Sequence, residues 1–286
     1  MKIIIYFVEY IVVKILFFIF KIIGYKNSSN LGFLIGKYFG PLFRSKSLIK
    51  NNLIQANISD KNNFDLIATN VLGNYGRIFS EYVFLKDFRN EKLANYISIN
   101  GQKYLDDIIK KQKKVVFISG HFNNFELMAM QLEKYGVNLT AIYRPLNNIF
   151  LNKTMEKIRT NFICRKQIKK GRSGSRELVK NFKEGSSVAL MIDQRVREGI
   201  NVPFFQKSCS TTTIPAQLVK KYECEIVPIY IERKKNHFFE MTVSQPLVFN
   251  KSLSIDDISV ELNKILEKMI LKNLDQWIWT HNRWQK

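Results

Sequence analysis

The stretch best equipped for chemistry is Ser119-Gly-His-Phe-Asn-Asn-Phe-Glu126. A neutral imidazole can take a proton from a substrate hydroxyl, provided a second group holds its other nitrogen and fixes the tautomer. His121 and Glu126 are five residues apart. On one continuous helix they would point roughly 140° away from each other. To meet, His121 must lie in a turn, with Glu126 about one turn into the helix that follows, and Gly120 permits the tight backbone. Glu126 would then hold one imidazole nitrogen and leave the other to act as general base. As bare spacing, the commoner explanation of such a pair is a helix cap and a surface carboxylate. The surrounding sequence has to decide.

The elements needed to position this pair are legible. Val115–Ser119 reads as a buried strand, and Phe125–Tyr135 as the helix after it. Further strands are expected at Leu139–Tyr143, Ser187–Ile192 and Ile226–Ile231, with another, parallel or antiparallel, at His237–Val243. Helices are expected at about Phe150–Phe162, Gly174–Phe182, Ile214–Tyr222 and Ile255–Leu271. This alternation predicts an α/β fold with a mostly parallel central sheet flanked by helices. Such sheets place ligands at the carboxyl ends of their strands, where His121 falls. Before this region, Leu31–Leu85 reads as helical, with Asn30 capping one helix and Asp60 starting another. The expected organisation is a membrane anchor over residues 1–24, a helical N-terminal extension over 25–95 and an α/β domain over 96–286.

Ile3–Ile23 carries 18 apolar residues interrupted only by Glu9, Lys14 and Lys21. As a helix it would be roughly 31 Å long, about one bilayer core. Charges inside the run, and no small-x-small site before Lys26, argue against a cleaved signal peptide. The same charges leave a full crossing and an interfacial helix both open. Lys26, Lys37, Arg44, Lys46 and Lys50 follow it, which by the positive-inside rule puts the rest of the chain on the cytoplasmic face.

The chain holds 45 Lys+Arg against 24 Asp+Glu, a formal net charge of +21. That field favours anionic partners such as lipid headgroups or an acidic carrier protein, although part of it is lysine solvating the surface. Nucleic acid is not expected, because no basic-aromatic recognition motif accompanies the charge. The three cysteines form no paired motif, which argues against a disulfide framework or zinc site. No metal, nucleotide or flavin motif is present, and no cofactor is expected.

Taken together, the motifs resemble one family. His-x-x-x-x-Glu after a strand is similar to the acyltransferase box of the glycerophospholipid and lysophospholipid acyltransferase superfamily. Its Glu, in place of Asp, resembles the late lauroyl- and myristoyl-type acyltransferases of lipid A biosynthesis. Ile142-Tyr-Arg-Pro-Leu-Asn147 resembles a Tyr-Arg-Pro block of that family, and Arg159 falls where it has an arginine on the next helix. Ile192-Asp193-Gln194, Val202-Pro-Phe-Phe205 and Thr211-Thr-Thr213 follow in the family's order. Trp279-Thr-His-Asn-Arg-Trp-Gln-Lys286 resembles its closing signature, with Asn282 and Trp284 in place of Arg and Phe. The family's glycine after Asp-Gln is spread here over Arg195–Gly199.

The resemblance implies an enzyme that moves a fatty acyl chain from an acyl carrier protein thioester to a hydroxyl of a Kdo-modified lipid IVA or lipid A precursor. It would sit at the bacterial inner membrane, on anionic lipid. His121 and Glu126 would be the catalytic pair, and Arg159 and Asp193 a supporting ion pair. Arg144, directly after a strand, could bind an acceptor phosphate. Asn123 and Asn124 could touch the acceptor, and Lys169-Lys170-Gly171-Arg172 could dock the carrier or its phosphopantetheine. His281 and the tryptophans around it read as packing or anchoring groups. A glycerophospholipid acyltransferase is the alternative, disfavoured by the Glu in the box and by the closing block.

Overall fold

The computed structural model describes residues 2–284, with Arg172 described by its backbone alone. The helical N-terminal part comprises α1 (Lys2–Ile23), α2 (Tyr25–Phe43), α3 (Lys46–Gln55), α4 (Phe64–Glu81) and the short α5 (Leu85–Arg89). The alternating region begins with β1 (Ile97–Asn100), α6 (Gln102–Lys110), β2 (Val116–Ser119), α7 (Glu126–Tyr135), β3 (Leu139–Tyr143), α8 (Ile149–Ile158) and β4 (Lys166–Lys169). It continues with α9 (Arg172–Lys183), β5 (Ser187–Met191), β6 (Ile200–Phe204), β7 (Lys207–Thr211), α10 (Ile214–Tyr222), β8 (Ile226–Lys234), β9 (Phe238–Val243) and α11 (Ile255–Lys272).

Among the described residues the main sheet runs β1-β9-β8-β2-β5-β3-β4. The five strands from β8 to β4 are mutually parallel, and β9 runs antiparallel to β8. The expected α/β architecture with a mostly parallel sheet is therefore what the chain adopts. Every residue of β2 is buried, because helices cover both faces of a parallel sheet and a central strand has no wet side. That is why Val116-Phe117-Ile118 reads as a continuous apolar run rather than an alternating one. One hydrophobic cluster extends from Tyr25 and Leu53 in the N-terminal helices to Trp277 and Trp279. The Asn52 amide donates to the Trp279 carbonyl at 2.7 Å, tying α3 to the end of the chain.

Some local expectations are corrected. Asn30 caps nothing: α2 starts at Tyr25, behind Gly24 with φ of 79°, and runs straight through it. Asp60 precedes a short 3-10 turn, and its carboxylate accepts from the Asn63 side chain rather than capping α4. The hairpin of β6 and β7 and the edge strand β4 are additional to the expected elements. α2 crosses α4 at a glycine seam, where a Cβ on Gly76 would collide with the Gly32 carbonyl oxygen.

α1 forms the long apolar helix expected, and Phe20 is its one buried residue. It leans on the rest of the chain at both ends. Near its start, Asn148 donates to the Tyr6 carbonyl at 2.8 Å and to Glu9 Oε2 at 2.9 Å, and the Phe7 ring meets Phe150 edge-on. Near its end, Phe17 and Phe20 pack on Phe79, and Lys21 pairs with Asp87.

Candidate active site

β2 ends at Ser119, and the chain turns before α7 begins at Glu126. The turn is built by Phe122, whose N–H donates to the Gly120 carbonyl at 2.9 Å, and by Asn123, with φ of 42°. Asparagine tolerates that left-handed conformation better than most residues, since its short side chain bonds locally. His121 thus sits before the helix and Glu126 in its first turn, the placement that the spacing required.

The partners differ from expectation. His121 Nδ1 lies 2.8 Å from Asp193 Oδ1, and the His121 backbone N–H donates to Asp193 Oδ2 at 2.8 Å. Asp193 has no exposed surface, and its Oδ2 also accepts from the Trp277 indole at 2.9 Å. Glu126 does not hold the imidazole. Its Oε1 accepts from Arg159 Nε at 3.1 Å and Nη2 at 3.0 Å, and from the Tyr82 hydroxyl. The two expected pairs, His121–Glu126 and Arg159–Asp193, are exchanged. The sheet explains this: β5 is the parallel neighbour of β2, with Ser119 opposite Met191, so His121 and Asp193 emerge side by side. The bond from Ile192 N–H to the Ser119 carbonyl, 2.9 Å, continues the ladder to that point.

The electrostatics follow from these contacts. Burial pushes the His121 pKa down, but the Asp193 charge and hydrogen bond, with help from Glu126, outweigh it and leave it raised. Burial pushes Asp193 up, yet His121 and the donors around the carboxylate hold it below the ordinary aspartate value. Burial disfavours the Arg159 cation, and the adjacent Glu126 charge more than compensates. Tyr82 is kept protonated by burial and by the Glu126 charge. Neutral His121 therefore carries its proton on Nδ1, facing Asp193. Among the described residues its Nε2 has no hydrogen-bond partner, and the ring lines a narrow cleft between α4 and residues 275–278.

The remaining expected residues divide. Asn123 and Asn124 are 1% and 0% exposed and are engaged inside the protein, which leaves neither free to grip an acceptor. Arg144 follows β3 at the same carboxyl end of the parallel strands and is exposed, with no ion pair among the described residues. Lys169 pairs with Glu156 at 3.4 Å, whereas the Lys170 charge is felt at His121 and lowers its pKa. The Arg172 side chain, and Gln285 and Lys286 of the closing block, lie outside the described residues. His281 Nε2 accepts the Arg195 backbone N–H at 3.1 Å, bracing the loop after Asp193. Two site residues went unrecognised in the sequence. Tyr82 belongs to no motif, and the sequence marks Trp277 only as a packing or anchoring group. Among the described residues no group of three or more His, Cys, Asp or Glu could hold a metal ion.

The chain is 24% identical over 206 residues to the lipid A biosynthesis lauroyltransferase of Escherichia coli strain K12, covering 68% of this chain and 64% of that protein. The chain therefore matches just under two thirds of that relative's length. A lipid A biosynthesis acyltransferase of Haemophilus influenzae is 22% identical over 269 residues, covering 88% of this chain and 83% of its own. Among solved structures, the 1-acyl-sn-glycerophosphate acyltransferase of Thermotoga maritima is a distant likeness. It shows a TM-score of 0.43 and 11% identity, over 96% of this chain and 99% of that one. The family profile described as bacterial lipid A biosynthesis acyltransferase matches residues 1–286, and the chain belongs to that family.

Proposed function

We propose that this protein transfers a fatty acyl chain from an acyl carrier protein thioester to a hydroxyl of a Kdo-modified lipid IVA or lipid A precursor. The observation that carries the reading is the His121–Asp193 hydrogen bond, which leaves Nε2 of a cleft-lining imidazole as the available base. In this reaction Nε2 removes the acceptor hydroxyl proton as the alkoxide oxygen bonds to the thioester carbonyl carbon. Collapse of the tetrahedral intermediate breaks the C–S bond, and the departing thiolate takes the proton back from His121. Asp193 orients the ring and stabilises the imidazolium that forms between the two steps. Glu126, held by Arg159 and Tyr82, shapes the opposite side of the turn.

Arg144 and Lys170, at the carboxyl ends of β3 and β4, suit an acceptor phosphate or the acidic carrier. α1 attaches the protein to the cytoplasmic face of the inner membrane, and its contacts at both ends favour a helix lying along the domain in the interface over one that crosses. Mass spectrometry of lipid A from cells lacking this protein tests the function. One acyl chain should be missing and be restored by wild type but not by His121→Ala. Unchanged lipid A would overturn the proposal.

A further inference from the structure

Beneath the His121–Glu126 turn lies a charge cluster outside the reacting groups. Glu81, the last residue of α4, has no exposed surface. Both its oxygens receive the Arg233 guanidinium, Nη1 to Oε1 at 2.7 Å and Nη2 to Oε2 at 3.0 Å. Arg233 comes from β8, the strand beside β2, and is 8% exposed. A second cation, Arg77, is buried one turn earlier on α4. It is lowered to about 10 by burial and by the nearby Arg233 charge.

Stability alone gives little reason for such a pair, because apolar residues of similar volume commonly do as well or better in its place. Its connections suggest another purpose. Glu81 Oε2 accepts from the Asn124 amide at 3.1 Å, and Glu81 is the one hydrogen-bond partner of that side chain among the described residues. Arg233 Nε donates to Asn123 Oδ1 at 3.3 Å. Gln276 closes the circle: its Oε1 accepts from the Arg233 backbone N–H at 2.9 Å and from the Asn123 amide. Two of the four residues between His121 and the start of α7, Asn123 and Asn124, are thus gripped by opposite ends of one ion pair. The residue after Glu81, Tyr82, in the 3-10 turn that follows α4, holds Glu126 itself.

We propose that Glu81 and Arg233 are positioning residues, a buried latch that holds Asn123 and Asn124 and so keeps the His121 ring on Asp193. The inference rests on the role given to His121 above. Asn123 is the point of action, since its left-handed backbone redirects the chain between strand and helix. Releasing Asn124 from Glu81, or Asn123 from Arg233, lets the turn relax and carries the imidazole off its carboxylate. Displacements of about 1 Å in such a group can reduce turnover on the order of 100-fold.

The test uses purified full-length Glu81→Gln and Asn124→Ala, with His121→Ala as control, assayed with acyl carrier protein thioester over a pH series. For both variants kcat should fall about 10- to 100-fold with the donor KM little changed. The acid limb of kcat/KM should also move to lower pH, because a ring parted from Asp193 loses the charge that raises it, while Glu126, Lys170 and His281 remain. The double variant should be scarcely worse than Glu81→Gln alone. A folded variant with wild-type kcat and an unmoved limb would overturn the latch, even if its melting temperature dropped. Should Glu81→Gln fail to fold, Asn124→Ala decides, since it leaves the Glu81–Arg233 pair intact. An active His121→Ala would instead sink the underlying reading of the site.

Discussion

His121 and Asp193, 72 positions apart, hold each other twice, through the ring nitrogen and through the backbone N–H, each at 2.8 Å. A double grip of this kind fixes ring rotation as well as tautomer. The carboxylate that conditions the imidazole is therefore Asp193, and the carboxylate within the motif serves Arg159 and Tyr82 instead.

Neutralising each carboxylate in turn should separate their roles. Asp193→Asn is expected to lower kcat about 100-fold or more and to shift the acid limb of the rate profile downward, since the charge raising His121 is gone. Glu126→Gln should move that limb less, because its contribution at His121 ranks below both effects of Asp193. pH–rate profiles of the two variants check this, and a larger shift in Glu126→Gln would return the orienting role to Glu126.

The exchanged pairing can be read by energetic coupling. Arg159→Lys combined with Glu126→Gln should deviate from additivity by ~0.5–3 kcal/mol, as contacting groups do. Arg159→Lys combined with Asp193→Asn should be close to additive. Activity-based double-mutant cycles measure both, and strong coupling only in the second would restore the Arg159–Asp193 pair.

Stability should carry the same signature. His121 has a folded pKa raised above the ordinary ~6.5, so its contribution is complete below that value and is lost as pH rises through the folded pKa. Asp193 is lowered from the ordinary ~3.9, so its contribution is present above that value and is lost as pH falls through the folded pKa. The melting-temperature gap between wild type and Asp193→Asn should therefore be widest between about pH 4 and 6.5 and should narrow at alkaline pH. A gap that widens steadily to pH 9 would contradict the assigned shifts.

Attachment through α1 makes a topological prediction. If the helix lies along the domain, Lys2→Cys and Lys26→Cys should both react with an impermeant thiol reagent from the cytoplasmic side. The native cysteines are buried and add little background. Labelling of Lys2→Cys only from the opposite side would mean that α1 crosses. Deleting residues 1–24 should release much of the protein from membranes while part of the activity on detergent-dispersed acceptor remains.

Sequence alone was enough for the fold class, and for the turn that carries His121 and Glu126. β2 announces itself as an unbroken apolar run because it is buried on both faces, and α7 by its periodicity. Less legible were β4, whose Lys166-Gln-Ile-Lys169 is the polar composition of a sheet edge, and β6, where Pro203 argues against a strand but sits in an isolated hairpin. Who meets whom at the site was decided by tertiary structure. Local spacing offered Glu126 to His121, but a helix start points its side chains where the turn aims them, and the Asn123 backbone aims Glu126 at Arg159. Asp193 reaches His121 because β5 happens to lie next to β2, an adjacency set by the order in which strands pack and not by their separation in the chain. Glu81 was silent in the sequence for the same reason. A carboxylate on a helix looks like solvated surface until β8 delivers Arg233 and the strand-to-helix turn delivers Asn124 to the two sides of it.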